Sequence, residues 1–458
     1  MFSKLRQAFF GIVSGLRWVF SKLRQALVWL RQALWGDITS EEFKRFGMLS
    51  MTFLFIIGTY WLMRPLKDAL FMKIVGKLYI PQAKMLSFFC IIPLILFYSK
   101  LVDWFEKHKL FYVFCSIYAT LFLIIAVLLA HPTIGLANAV ADKWRLLGWV
   151  IYVSIESFGS LIVALFWSFV ASSTETSAAK RGYPVIIAGA QVGSIVGPTI
   201  ATKATLIGMP QLMTIVSCGI AIVPLMIYLF VKGFPAAQVA PTAHDKKATG
   251  MLEGLRLLAS KPYLLGILGV ATLYEVIGTV LDYQMKFIAD ETYTSAEQVT
   301  EFLGLFGQSA NLLALVFALV GTSFFIRRFG LTFCLVMFPV TIGCVVCYVW
   351  AYPALWVLFG AMVAVKGLSY ALNNPCKEIM YIPTSKDVKF KAKSWIDVFG
   401  GRSSKFVGSG INAFFTDMTQ LMFFGSLISL GIVGVWIMIA LYVGRTNQKL
   451  VHDNKIIE

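Results

Sequence analysis

Apolar residues are gathered into twelve long runs, near residues 48–63, 85–99, 110–130, 147–172, 183–201, 211–231, 263–281, 303–325, 330–350, 354–372, 396–416 and 421–443. Stretches this long and this poor in charge predict membrane-spanning helices, because only a helix satisfies its own backbone in lipid. The connections are short except for 232–262, a Pro-, Ala-, Lys- and His-containing segment that divides the runs six and six. The pattern therefore predicts an all-α polytopic membrane protein of twelve helices in two pseudo-symmetric halves. These are a six-helix bundle over 47–232, a linker over 233–262, a second bundle over 263–443 and a tail over 444–458.

An internal pseudo-repeat supports the division. AAKRGYPVIIAGAQVGSIVG follows the fourth run and KAKSWIDVFGGRSSKFVGSG follows the tenth. Aligning Gly189 with Gly401 matches a basic loop and a Gly-rich helix in both halves. Two related six-helix halves are the architecture of major-facilitator-type transporters. Gly189, Gly193 and Gly197 make a G-x-x-x-G-x-x-x-G stripe, which predicts close helix packing. Ahead of the first run, residues 1–36 hold six bases and no acid, in repeated SKLRQA words with interleaved Trp. That pattern predicts an amphipathic helix lying on an anionic leaflet, within a basic N-terminal region of 1–46, with an organelle-targeting peptide as the alternative.

Composition narrows the function classes. Of 458 residues, 58% are hydrophobic and 14% charged, with a mean hydropathy of +0.77. A soluble domain carries about 25% charged residues, so a soluble enzyme, a nucleic-acid-binding protein and a disordered scaffold are excluded. The net charge of +17 is explained first by topology. With the N-terminus inside, 28 Lys and Arg fall in inside segments and nine in outside loops, which places both termini in the cytoplasm. Five of those nine lie together between Arg64 and Lys84. The seven Cys, including the Cys344-x-x-Cys347 pair, fall mostly in apolar runs and read as small buried hydrophobes. Neither a metal-ligand spacing nor a nucleophile–base pair stands out. The expectation is a protein that is not an enzyme, with no cofactor, no metal and no nucleic-acid partner, monomeric because such a bundle encloses its own path.

Charges inside apolar runs are costly and usually line a path. Glu156 lies within the fourth run. Glu275 lies in the seventh, Asp282 is on the same helical face, and Lys286 follows Asp282 at i,i+4. Lys366 lies in the tenth run, where snorkelling and facing a cavity are both open. Arg64, Lys67, Lys84, Lys286, Lys377, Arg402 and Lys405 converge on cavity positions. Each alone is compatible with an interfacial anchor, and together they outnumber the acids and favour a multiply charged anion such as a phosphorylated metabolite.

The segment YALNNPCKEIMYIPTSKDVKFKAKSWIDVFGGRSSKFVGSGI, 370–411, resembles the nucleotide transport proteins, the ADP/ATP translocases of plastids and obligate intracellular bacteria. WGDITSEEFKRFG through RPLKDALF to LFYSKLVDW, 35–104, is similar to that family's first two spans, and the likeness covers essentially 35–450. The resemblance implies substrate-binding roles for Lys84, Glu156, Lys377 and Asp282 with Lys286, and it leaves Arg64, Lys67 and Arg402 as further phosphate-binding candidates. Glu156, Glu275 and Asp282 are the candidates for coupling. Departures are Arg-Pro-Leu-Lys-Asp at 64–68 where the family has R-D-T-K-D, an Asp for a Glu at 282, and Ser404-Lys405 for Gly-Lys. The resemblance further implies ATP/ADP exchange by alternating access in the inner membrane of an intracellular bacterium. Proton-coupled import of nucleotides or another organic anion, and NAD/ADP exchange, are the alternatives.

Overall fold

The computed structural model describes residues 38–457 apart from 175, 236–255, 257, 321–327, 386–387, 389–391 and 394. The basic N-terminal repeat and most of the linker lie outside the described residues. Twelve helices fall where the apolar runs predict them. They are α1 Ser40–Ile74, α2 Ile80–Trp104, α3 Lys107–Leu129, α4 Leu146–Ser172, α5 Thr176–Ala201, α6 Met209–Gly233, α7 Pro262–Thr292, α8 Ala296–Val320, α9 Leu331–Ala351, α10, α11 and α12 Met418–His452. Helix α10 runs Leu355–Leu368, loosens into a π-helical turn at Ser369–Asn373 and closes again as Asn374–Met380. Helix α11 begins as a π-helical turn, Ile396–Gly400, and continues Gly401–Ala413. Among the described residues the nearest thing to β structure is an isolated bridge between Thr384 and Ile457.

Ten of these helices are long and apolar enough to cross a membrane. The expectation of twelve spans is corrected at α10 and α11. The uninterrupted apolar part of α10 is only 14 residues, and α11 carries Arg402, Ser403, Ser404 and Lys405 in its first turns. Large side chains such as Phe89, Val127, Leu225 and Met438 are more than half exposed on the outside of the bundle. A soluble protein rarely tolerates such a surface, whereas lipid solvates it.

The second correction concerns length. The first run, expected over 48–63, is part of a 35-residue helix, about 52 Å long. Its start is set by a capping box. Thr39 Oγ1 accepts from the Glu42 N–H at 3.1 Å, and the Glu42 carboxylate accepts from the Thr39 N–H at 3.0 Å. The helix continues through RPLKD because Lys67 and Asp68 find charged partners inside the bundle. Arg64 and Lys67 are thus in a helix at the centre of the protein, not in an outside loop, and the cluster of bases between Arg64 and Lys84 is explained. Lys84, counted with the same bases, lies in α2, and Lys286, beyond the expected end of the seventh run, lies in α7. Pro65 sits inside α1, where it removes the N–H that would bond the Trp61 carbonyl.

Packing follows the glycine stripe. A Cβ at Gly189 would lie 2.3 Å from the Ser50 carbonyl oxygen, one at Gly193 2.5 Å from that of Leu54, and one at Gly197 2.2 Å from that of Gly58. Backbones of α1 and α5 are therefore in contact along three turns. The counterpart in the second half is α11 against α7, where a Cβ at Gly408 would lie 2.9 Å from the Val276 carbonyl oxygen. Asn412 Nδ2 donates to the Thr279 carbonyl at 3.2 Å in the same seam. An added Cβ at Gly401 meets nothing. The register equating Gly189 with Gly401 is therefore corrected: the α7-facing stripe of α11 is the one through Gly408.

Candidate functional site

Helices α1, α2, α4, α7, α8, α10 and α11 surround a central cavity of about 610 Å³. Seven basic side chains line it against five acidic ones, leaving two positive charges in excess. The bases are Arg64, Lys67, Lys84, Lys286, Arg402 and Lys405, joined by Lys366.

At the centre lies a chain of ion pairs between the halves. Lys67 donates to Glu156, joining α1 to α4. Lys286 reaches Asp68 at 2.8 Å and Asp282 at 2.7 Å, and Asp282 also accepts from Lys84 at 2.9 Å. Three helices, α1, α2 and α7, are tied at this point. Lys286 and Asp68 are buried, where charges are tolerated only when paired. The second oxygen of Asp68, Oδ1, has no hydrogen-bond partner and sits 3.7 Å from Lys67 Nζ. Lys67 also lies 4.3 Å over the Tyr152 ring. Farther along the wall, Lys405 approaches Glu275 at 4.0 Å.

Every acid on the cavity wall thus has a lysine within ion-pair distance, since Asp397 is paired with Lys377. Three of the bases have no carboxylate partner among the described residues. Arg64 lies 4.6 Å over the Trp61 ring, Lys366 5.4 Å over the Tyr274 ring, and Arg402 donates to Ser160 Oγ at 2.7 Å. These groups are held by aromatic faces and a hydroxyl, and each keeps its charge without a directly bonded carboxylate among the described residues.

Of the residues predicted from the sequence, Arg64, Lys67, Lys84, Glu156, Glu275, Asp282, Lys286, Arg402 and Lys405 come together on this one cavity. Lys377 does not line it. The π-helical turn shifts the register of the last part of α10, and Lys377 reaches the site only through Asp397. Asp68 and Asp397 were not anticipated. The signal for Asp68 was the apolar ALFMKIV after RPLKD, which allows the first helix to run on. Nothing in composition marks Asp397 apart from its neighbours.

A second group of ion pairs fastens the halves on the face away from the helix ends Ser40 and His452. Lys73 near the end of α1 lies 2.7 Å from Asp290 and donates to the Tyr293 carbonyl at 3.0 Å. Lys77 lies 2.8 Å from Glu291 and 4.1 Å over the Phe287 ring. Glu301 of α8 accepts from the Thr205 N–H at 2.9 Å. These contacts hold the two halves together on this far face.

This arrangement of helices, two halves around a polar central cavity, is the major-facilitator transporter fold. The chain is similar to a bacterial homologue of the iron transporter ferroportin in its inward-facing state, with a TM-score of 0.60 at 11% identity, over 89% of this chain and 100% of that one. It is also similar to the nucleoside transporter NupG, with a TM-score of 0.59 at 13% identity, over 86% and 98%. By sequence the chain belongs to the TLC ATP/ADP transporter family, whose model matches residues 20–354 and 349–446. Relatives include ADP,ATP carrier protein 1 of Rickettsia typhi, 23% identical over 95% of this chain and 99% of that protein. Another is the chloroplastic ADP,ATP carrier protein 2 of Arabidopsis thaliana, 26% identical over 86% and 73%.

Proposed function

We propose that the protein exchanges ATP for ADP across a membrane by alternating access, its two six-helix halves rocking about the central cavity. The observation that carries this reading is the cavity's three cations without a carboxylate partner, Arg64, Lys366 and Arg402, beside lysines that are already paired. A multiply charged anion can engage the first three without breaking an ion pair, and then draw Lys84, Lys67 and Lys286 from their acids. Family membership and the names of the relatives supply the nucleotide. Exchange, not one-way import, follows from electrostatics. An empty cavity with excess positive charge in a low-dielectric wall is unfavourable in the occluded state, and a bound nucleotide offsets it. The pairing of every wall acid with lysine favours this over a titrating carboxylate that carries a proton. The chain acts as a monomer, with both termini in the cytoplasm, as the distribution of bases supports.

The test is uptake of labelled ATP into liposomes holding the purified protein. Uptake is expected with ADP inside and absent from empty vesicles. Equal uptake into empty vesicles that grows with an imposed proton gradient would overturn exchange, and no flux of any nucleotide would overturn the substrate.

A further inference from the structure

The charged groups occupy one part of the cavity wall, on α1 from Arg64 to Asp68, on α2 at Lys84 and on α7 from Glu275 to Lys286. The stretch contributed by α8 brings no charge at all: Leu303, Phe306, Gly307, Ala310 and Asn311. Trp61 of α1 stands against it, since a Cβ added at Gly307 would lie 3.7 Å from Trp61 Cε3. Along α1 the step from Trp61 to Lys67 is six residues, about 9 Å, comparable with the reach from a nucleobase to its terminal phosphates.

Asn311 is the polar group of this uncharged wall, and it is only 4% exposed. Its orientation is fixed. Nδ2 donates to the Ser194 carbonyl at 2.7 Å, and its backbone carbonyl accepts from Gln191 Nε2 at 3.2 Å. An amide whose nitrogen is committed to a carbonyl must present its oxygen on the other side. That Oδ1 makes no hydrogen bond among the described residues, and Asn311 lines the cavity.

We infer that Trp61 and Asn311 form the nucleobase end of the site, with the Asn311 carbonyl oxygen selecting bases that carry an exocyclic amino group over their oxo counterparts. The inference rests on the nucleotide reading above and names the part of the substrate that it leaves open. One face of the Trp61 ring carries Arg64, 4.6 Å away, and the stacking surface for a base, which any base can use, is the opposite face. Discrimination comes from Asn311. Opposite the amino group of adenine or cytosine, Oδ1 accepts a hydrogen bond. Opposite the carbonyl that replaces it in hypoxanthine or uracil, two acceptors face each other and a buried group is left unpaired.

The experiment is competition against labelled ATP uptake in ADP-loaded liposomes. ITP differs from ATP in the oxo group at position 6 and the N–H this puts on N1, and UTP differs from CTP in the same way at position 4 and N3. ATP should compete at least about tenfold better than ITP, and CTP better than UTP, as expected where a buried acceptor is satisfied by one base alone. Asn311→Ala should bring ATP and ITP within about threefold by weakening ATP, and Trp61→Ala should weaken all four alike. Equal competition by ATP and ITP in the unaltered protein overturns the inference whatever the variants do, and leaves nucleotide exchange standing. Absence of any nucleotide flux in the unaltered protein removes the reading beneath it as well.

Discussion

The far-face closure invites a quantitative test. Lys73→Ala removes the ion pair with Asp290 and the hydrogen bond to the Tyr293 carbonyl. The side chains of Lys73 and Asp290 are 21% and 14% exposed. That places the pair between the exposed case, about 0–1 kcal/mol, and the buried case, where removing one partner costs about 3–5 kcal/mol. Asp290 Oδ1 is buried with no hydrogen-bond donor aligned on it, so Lys73 holds it by charge and its loss leaves a bare carboxylate. A value of about 2 kcal/mol follows, which shifts the balance between far-closed and far-open states roughly thirtyfold, at about 1.4 kcal/mol per factor of ten. The assay is labelling of Ser87→Cys, a buried cavity position, by a bulky impermeant maleimide added to the far side of a variant without other cysteines. The labelling rate should rise by that factor in Lys73→Ala. The exchange Lys73→Asp with Asp290→Lys should bring it back toward the starting value. A rate changed less than twofold by Lys73→Ala would refute the idea that this pair holds the face closed.

Three other outcomes are expected. Asp282→Asn strips Lys84 of its carboxylate partner and Lys286 of one of two, so ATP/ADP exchange should fall at least about tenfold while the protein still reaches the membrane, assayed by flux normalised to protein; this is the loss expected when a buried charge is unpaired. Arg402→Ala should raise the half-saturating concentration more for ATP than for AMP, because the group it removes faces phosphate charge; equal effects on both would argue against that placement. Gly197→Ala puts a methyl 2.2 Å from the Gly58 oxygen and should destabilise by about 1–3 kcal/mol. Gly434→Ala meets nothing within 4 Å and should stabilise by up to about 1 kcal/mol, so thermal unfolding in detergent should separate the two.

The helices were legible because the hydrophobic runs of the first nine and the last are long and clean. The limits of α1 were not, because RPLKD reads as a polar loop unless one knows that Lys67 and Asp68 meet Glu156 and Lys286 from helices 89 and 218 positions away. Charge pairing across a fold is invisible to a window of neighbouring residues. Nor could a window show that Lys377 meets Asp397, since a π-helical turn changes the register without any local compositional mark. Nine of the expected residues nevertheless line one cavity, for a physical reason: an ionisable group within an apolar run has few tolerable places to be, and a shared cavity is the commonest.

Pro65 has a mechanical consequence. It leaves α1 one hydrogen bond short at the level of the cavity, so the helix resists bending least there. On one side of that joint α1 is welded to α5 through Gly189, Gly193 and Gly197. On the other side stand Lys67, Asp68 and, eight residues beyond Pro65, Lys73. That arm is about 12 Å long, so a bend of about 10° at the joint carries Lys73 about 2 Å. Such a displacement takes a 2.7 Å ion pair beyond contact. Whatever settles against Arg64 and Lys67 therefore pushes on the short arm of a lever whose far end is the lock.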